Sequence, residues 1–457
     1  MIIRKQAFYL VYVGIIGTIC FFMGKDTKDV YVMCLFASFI ILSTGFVVVN
    51  CLIKSIRMGE ILSPIFVANV FASFVFIVRP IQILISINNI NKIYAIGMYN
   101  KLGGGLGFNE LPIVEASYIG LIGILFMNLA YFGFRKSLQE YGLSTFYNES
   151  DLINNQNVLN IKQIIAIIVI MFPTFFSMFS FVLKQTIFVT EIRMIDIIWL
   201  YIICALIIYL IAYKRQTSMF IYFLIAVSAV VLGIASKRMY VVNLIICFIV
   251  PLYYLGKNRK KNIKRVIVMV VLLFALVLIY GSIRAERIGA TQGTVIEQLL
   301  DEFCMYDMLL VSIKHCNTNN IGLFYGYNFL TVITTVIPGI KIAQFDHELT
   351  RIVFNGLFNG GIPVTIFGSL YFNFSYLGVV VGSIILGSVF RYMRNKCTKK
   401  ISVKGIMYYS IFTTFAYDII RVGDVGREMW TCIIMLLIAK IFMLIVPCYK
   451  VKKEKYE

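Results

Sequence analysis

The sequence is poor in charged residues, and this shortage decides the broad class of the protein. Only 14% of its 457 residues are charged, whereas 60% are hydrophobic, and the mean hydropathy is +0.87. A typical soluble domain has about 25% charged and roughly 45–50% apolar residues. The composition therefore excludes a soluble enzyme, a disordered chain and a secreted disulfide scaffold, and it predicts one large bundle of membrane helices.

The sequence also lacks the motifs of common cofactor and nucleic-acid sites. It has ten cysteines but no C-x-x-C pair, which argues against a zinc or redox site. A phosphate-binding glycine loop, a Ser-His-Asp arrangement and a haem signature are absent. Asp346-His347-Glu348 has the spacing of a weak metal site, but one such triplet does not predict a metal. We therefore expect no metal, no cofactor and no nucleic-acid partner. Only Cys304 and Cys316 lie in a segment that could face an oxidising compartment, so they are the one pair that could form a disulfide.

Long apolar runs, in contrast, recur along the whole chain. A membrane-spanning helix needs about 20 apolar residues. The sequence predicts an all-α polytopic membrane protein with about 12 transmembrane helices, near 8–24, 30–53, 61–78, 114–132, 163–183, 194–212, 218–236, 239–256, 266–282, 365–390, 404–420 and 429–447. These runs give an N-terminal bundle of about nine spans (1–282) with an outside loop at 79–113, a large outside loop (283–364), and about three C-terminal spans with a basic tail (365–457).

The basic residues indicate an orientation for these spans. The formal net charge is +20, and dense basic runs lie at 257–265, at 391–404 and in the tail from Lys450. Segments rich in Lys and Arg stay on the cytoplasmic side of a membrane. Both termini are therefore predicted to be cytoplasmic, and 283–364 to lie outside.

The large outside loop carries two predicted helices. Thr294 to Glu297 has the spacing of a helix capping box. The apolar residues that follow recur at helical spacing up to Ile313, and the acidic residues Glu297, Asp301 and Glu302 lie off that stripe. We expect an amphipathic helix that rests on the outer membrane interface. Residues 346–358 predict a second short helix, with an acidic residue near its N-cap.

Several arginines fall at the predicted outer ends of spans or in the large loop. Such residues often extend to lipid headgroups, which is the simpler interpretation. As a set, however, they suit an anionic headgroup such as a pyrophosphate, because the guanidinium group binds phosphate bidentately. The candidate phosphate-binding residues are Lys237, Arg238, Arg284, Arg287, Arg351 and Arg421, and Arg79, Arg193 and Arg427 share the predicted outer position.

His347, Glu348 and Asp424 are the candidates for acid–base chemistry. His347 and Arg351 are one helical turn apart with Glu348 beside them, which suits a general base next to a phosphate clamp; an ordinary ion pair on an interfacial helix is the alternative. Asp424 lies in a short turn after Arg421 and Gly423, and an ionisable cluster in so short a turn is a functional hypothesis.

With these features the chain resembles the Wzy-type oligosaccharide repeat-unit polymerases, also called O-antigen or capsule polymerases. The resemblance lies in the number of spans, in the dominant outside loop of the C-terminal half and in four short motifs. In one of them the family usually has an aromatic-x-Asn-Phe-Gly-x-x-Gly pattern, and this chain has Ser375 in place of the first glycine. The motifs are Ser236-Lys237-Arg238, Arg351 followed by Gly360-Gly361, Tyr371 to Gly378, and Arg421-x-x-Asp424.

The resemblance implies a membrane glycosyltransferase with a GT-C-like architecture in the bacterial cytoplasmic (inner) membrane. The donor would be a glycan on undecaprenyl pyrophosphate, and the acceptor one lipid-linked repeat unit. It also implies a chain-length regulator and a flippase as partners. Arginines of the family that bind the donor pyrophosphate correspond most naturally to Arg238, Arg284 and Arg351, with Arg421 as a further candidate.

Three alternatives remain at the level of sequence, and one of them is a non-enzymatic assembly protein of the envelope whose arginines only anchor lipid. An O-antigen ligase would use the same donor and a different acceptor. A polysaccharide flippase or other transporter would belong to a different class, but many transporters have repeated halves and broken helices in matching positions. No repeat of that kind is visible in the sequence, which favours an enzyme.

Overall fold

The computed structural model describes residues 2–133, 161–187, 198–214, 218–234, 238–255, 303–334, 343–357, 361–398 and 403–445, together with residues 264, 267, 268, 275 and 301. Within these residues the regular structure is entirely helical. The all-α prediction is therefore confirmed for the described part of the chain.

The described residues up to Leu255 form ten α-helices: α1 Ile2–Gly24, α2 Val30–Arg57, α3 Pro64–Ser73, α4 Arg79–Ile85, α5 Tyr94–Lys101, α6 Ile113–Phe132, α7 Ile161–Ile187, α8 Ile198–Lys214, α9 Met219–Ile234 and α10 Arg238–Leu255. The described residues after Leu255 add α11 Met305–Thr318, α12 Tyr327–Thr334, α13 Phe345–Val353, α14 Thr365–Thr398, α15 Val403–Val422 and α16 Val425–Ile445. A π-helical turn, Phe74–Val78, joins α3 to α4.

A helix coincides with eleven of the twelve predicted spans, and the twelfth, 266–282, lies largely outside the described residues. Among the described helices, four are long and apolar enough to cross a membrane: Val30–Arg57, Pro64–Ile85, Ile113–Phe132 and Thr365–Cys397. Shorter apolar helices lie at Phe8–Gly24, Ile167–Phe181, Ile198–Ile211, Met219–Leu232 and Tyr240–Tyr254. These lengths and compositions are those of a multi-pass membrane protein.

The chain divides into two compact units. Unit 1 comprises Met1–Tyr141, Ile296–Met393 and Phe415–Trp430, and unit 2 comprises Gly142–Val295, Arg394–Thr414 and Thr431–Glu457. In unit 2, α8 and α10 are buried along most of their length, and Trp199 and Phe248 are fully enclosed. The predicted site residues whose side chains are described all lie in unit 1.

Unit 1 is built around α6, whose small residues allow close helix contacts. A Cβ atom added at Gly120 or Gly123 would lie 2.2 Å from Phe76 and 2.4 Å from Phe367, respectively. Added at Gly387 of α14, it would lie 2.1 Å from the carbonyl oxygen of Met127. Small residues at such crossings let helix backbones approach closely, as is usual in membrane bundles.

Two pairs of buried polar side chains in this unit join segments that are distant in the sequence. Asn69 of α3 and Asn128 of α6 donate to each other's side-chain oxygen at 2.8 Å, and the Tyr131 hydroxyl donates to Glu60 at 2.9 Å. Such pairing is required where no water can satisfy a polar group.

Helix α11 lies inside unit 1, contrary to the expectation that it rests on the membrane interface. Every residue from Met305 to Ile313 is buried, including Asp307 and Ser312 off the apolar stripe. The expected interfacial position is therefore wrong for this part of the helix, because the protein covers both of its sides and Asp307 pairs with Arg79. Residues 291–300, where the capping box was expected, lie outside the described residues.

Helix α14 is broken at Phe374 and Ser375. Ser375 has φ 59° and ψ −159°, a conformation that essentially only glycine adopts without strain. In a continuous helix, Tyr371 and Tyr376 would point in different directions. With the break, both hydroxyls donate to one carboxylate oxygen of Glu115, at 2.6 and 2.8 Å.

Candidate functional site

Helix α13 presents the residues His347, Glu348 and Arg351. It begins after Gln344, which is its N-cap in an extended conformation, and it ends at Val353. The expected helix over 346–358 is thus shorter, and Asp346 lies inside its first turn. The chain leaves the helix through Asn355 and Gly356, both with positive φ, and such residues end helices in the left-handed conformation.

The first turn of α13 meets the start of α16 at a buried group of charged residues, which we call the acid–arginine cluster: Asp346, Asp424, Arg427 and Glu428. The Arg427 guanidinium donates to Glu428 Oε1 at 2.9 Å and to the side chain of Gln344 at 3.0 Å, and it lies 3.6 Å from Asp346 Oδ2. Arg427 thereby ties α13 to α16. Asp424 caps α16, because its Oδ1 accepts from the backbone N–H of Arg427 at 3.1 Å.

The cluster contains more carboxyl groups than cations, and two of its oxygens are unsatisfied. Asp424 Oδ2 and Glu428 Oε2 are buried without a hydrogen-bond partner. Burial raises the pKa of the Asp424 carboxyl and the nearby Asp346 raises it further, whereas Arg427 and two backbone N–H groups lower it. A buried, underpaired carboxyl group keeps its proton to a higher pH than an exposed one, and shifts of this kind are frequent at functional sites.

His347, Glu348 and Arg351, which we call the exposed triad, lie on the accessible side of α13. Arg351 donates to both carboxylate oxygens of Glu348, at 3.0 and 2.5 Å, while 64% of its side chain remains exposed. The hydrogen bond from Arg351 lowers the pKa of Glu348. Glu348 is therefore a poor base, and Arg351 retains three of its five N–H groups for an anion.

The turn before α16 is fixed by Asn328 of α12. The Asn328 side chain donates to Ser369 and to the carbonyl of Gly423, and it accepts from the N–H of Val425 at 3.0 Å. Gly423 has φ 73°, and an added Cβ would lie 2.1 Å from the carbonyl oxygen of Thr365. Only glycine fits this position, and the turn that carries Asp424 is fixed by Asn328 and packed against the backbone of Thr365.

A second buried charge group surrounds Arg79, which was expected to lie at an outer end of a span. Its guanidinium donates to Asp307 at 2.8 and 2.5 Å, to Gln82 at 2.7 Å and to Asp301 at 3.1 Å, and it is completely buried. Pro80 follows it, and the preceding π turn takes up the resulting disturbance of the helix. Arg79 therefore joins α4 to α11 and is not available to a phosphate.

Arg421, at the end of α15, lies between these two groups. Its charge acts on Glu428 of the acid–arginine cluster and on Cys304 beside Arg79. Burial raises the pKa of the Cys304 thiol to about 11, and Cys304 and Cys316 are both free cysteines in this structure. The optional disulfide is therefore not formed.

Five of the predicted site residues lie in unit 1, and Arg351 contacts Glu348 among them: His347, Glu348, Arg351, Arg421 and Asp424. Arg238 is the first residue of α10 in unit 2, and its side chain lies outside the described part. Lys237, Arg284 and Arg287 lie outside the described residues.

Sequence reasoning missed Asp346 and Glu428 as members of the site, and it gave Arg427 no role beyond its outer position. The available signal was the density of acidic residues on either side of the Arg421–Arg427 turn. Within the described residues, no group of three or more His, Cys, Asp or Glu residues has a geometry that could hold a metal ion.

No family model matches the chain, and neither a curated protein nor a solved structure is significantly similar to it.

Proposed function

We propose that the protein is a membrane glycosyltransferase that polymerises oligosaccharide repeat units carried on undecaprenyl pyrophosphate, as the Wzy-type polymerases do. In this proposal about twelve spans in a GT-C-like arrangement cross the bacterial cytoplasmic membrane, both termini are cytoplasmic, and the exposed triad faces outward. The observation that carries the proposal is that the exposed triad lies on a helix whose first turn is fixed by the acid–arginine cluster. Arg351 pairs with Glu348 in the triad, and Arg427 pairs with Asp346 and Glu428 in the cluster.

The residues of the site fit the needs of this reaction. The bond between the anomeric carbon of the donor and its pyrophosphate oxygen breaks, and a bond to the acceptor hydroxyl oxygen forms. Arg351, whose guanidinium is exposed, would bind the departing pyrophosphate. His347 reaches the surface one turn away and would take the proton of the acceptor hydroxyl.

The acid–arginine cluster would position these groups. Arg427 holds Gln344 and Asp346 at the start of α13 against Glu428 of α16. A helix fixed at its first turn presents its side chains in one orientation, and fixed orientation is a large part of the catalytic effect when the leaving group is already good. Arg427 is thus a positioning residue in this proposal, and Asp424 fixes the first turn of α16 behind it.

The test is the size distribution of lipid-linked glycan in cells that carry Arg351→Ala, Arg351→Lys or the matched control Lys314→Ala. Lys314 is a partly exposed cation of the same unit with only a loose pairing to Glu110, at 3.8 Å. Arg351→Ala should stop the glycan at one repeat unit, because the pyrophosphate loses its bidentate contact. Arg351→Lys should restore short ladders only, and Lys314→Ala should give full ladders.

Protein amounts in the membrane must be equal in all three variants for this comparison. Full ladders from Arg351→Ala would contradict the proposed role of the triad. Normal polymer that fails to reach its final acceptor would instead identify the activity as that of a ligase, which uses the same donor.

A further inference from the structure

Helix α12 buries two polar side chains on one side and exposes three apolar side chains on the other. Asn328 and Thr331 are 1% and 4% exposed, whereas Phe329, Leu330 and Ile333 are 40, 52 and 60% exposed. The helix carries no charged residue. In water this arrangement would be reversed, since a surface helix normally turns its apolar face inward.

The buried side of α12 is fully occupied by protein contacts. Asn328 bonds to Ser369 and to the turn at Gly423 and Val425, and Thr331 lies against Gly426, where an added Cβ would be 2.2 Å from its hydroxyl oxygen. The orientation of the helix is therefore fixed by its polar residues, and its apolar face points outward as a consequence.

This outward face continues an apolar stripe of a candidate membrane span. The rings of Phe329 and Phe374 lie 5.7 Å apart, and Phe374 is 42% exposed. Beyond the break at Phe374 and Ser375, the exposed side chains of Leu377, Val381 and Ile385 follow at helical spacing on α14, and they are 73, 47 and 59% exposed. Within Thr365–Cys397 such a row is the face that a span turns toward lipid.

From this continuity we propose that α12 is seated in the hydrocarbon of the bilayer and that the lipid is the partner of its apolar face. The helix then lies along the membrane at the level of the break in α14. Because Asn328 also fixes the turn that carries Asp424, contact with lipid holds the acid–arginine cluster close to the membrane surface. This inference concerns the placement of the site and stands whether or not the site transfers sugars.

The test uses the full chain in proteoliposomes and measures quenching of an introduced tryptophan. The variants are Leu330→Trp and Ile333→Trp, which change exposed positions and leave Asn328 and Thr331 intact. Lys101→Trp, at an exposed charged position of α5, is the matched control. The chain has two native tryptophans, so the emission of the unsubstituted protein is subtracted.

Phosphatidylcholine brominated on its acyl chains should remove most of the added emission of Leu330→Trp and Ile333→Trp, and little of that of Lys101→Trp. Acrylamide in the aqueous phase should give the opposite order. Acrylamide quenching of the α12 variants as strong as that of the control would overturn the proposal, because the face would then contact water. Protection from both quenchers would overturn it as well, because protein, such as a second copy of the chain, would then cover the face.

Discussion

The two carboxylates that contact Arg79 should differ strongly in their effect on stability. Asp307 is fully buried and accepts two hydrogen bonds from the guanidinium, at 2.8 and 2.5 Å. Asp301 accepts one at 3.1 Å, and 41% of its side chain is exposed. We expect Asp307→Asn to destabilise the fold far more than Asp301→Asn, although both remove one negative charge from the same arginine.

The expected magnitudes follow from the burial of each pair. Asp307→Asn keeps the shape of the side chain but leaves Arg79 buried without its main counter-charge, and breaking a buried ion pair costs about 3–5 kcal/mol. Asp301 is partly in contact with solvent, so its replacement should cost about 0–1 kcal/mol. A difference of about 3 kcal/mol changes the unfolding equilibrium constant by a factor of roughly 100.

The measurement is equilibrium unfolding of the purified protein in mixed micelles with increasing denaturing detergent. A third variant, Arg79→Met with Asp307→Leu, serves as the control, because replacing both partners with apolar residues should recover most of the loss. Equal losses for Asp301→Asn and Asp307→Asn would refute the reasoning. So would a double variant no more stable than Asp307→Asn, since the loss would then not come from an unpaired buried charge.

Two further changes test local features of unit 1. Ser375 adopts φ 59° and ψ −159°, so Ser375→Gly should stabilise the fold by about 1 kcal/mol in the same unfolding assay, and a loss of stability would contradict the strain at this position. The raised pKa of Asp424 means that the folded protein binds a proton which the unfolded chain releases, so folding stability falls as pH rises from below the unfolded pKa through the folded one. Asp424→Asn should therefore be more stable than the parent at pH 8 and the difference should vanish in acid; a difference independent of pH would contradict this.

Much of the helical framework could be predicted from the sequence, because apolar length alone identifies a helix that can cross a membrane. The prediction of 114–132 differs by one residue from the helix Ile113–Phe132, and that of 30–53 from Val30–Arg57 only at its C-terminal end. The end of α13 was misjudged, since the left-handed residues Asn355 and Gly356 stop a helix that the composition would allow to continue.

The candidate site could be predicted only in part, because its members come from distant segments. His347, Glu348 and Arg351 are neighbours on one helix, so their spacing indicated that they act together. The contact of Asp346 with Arg427 joins residues far apart in sequence, and that of Arg79 with Asp307 spans 228 residues. No local pattern predicts such pairs, which depend on how the helices pack.

A comparison of α11 with α12 explains why the apolar stripe of α11 did not predict where that helix lies. An apolar stripe shows that a helix face avoids water, but lipid and protein interior satisfy it equally well. Polar side chains are more decisive, because in a membrane only the protein can satisfy their hydrogen bonds. Asp307 of α11 pairs with the buried Arg79, and Asn328 of α12 donates to the carbonyl of Gly423, so each helix packs its polar side against the protein. In α11 the apolar stripe is also covered by protein, whereas in α12 it remains exposed. In a chain of this composition, the few polar residues of a helix therefore indicate which face meets the protein, and the apolar residues do not.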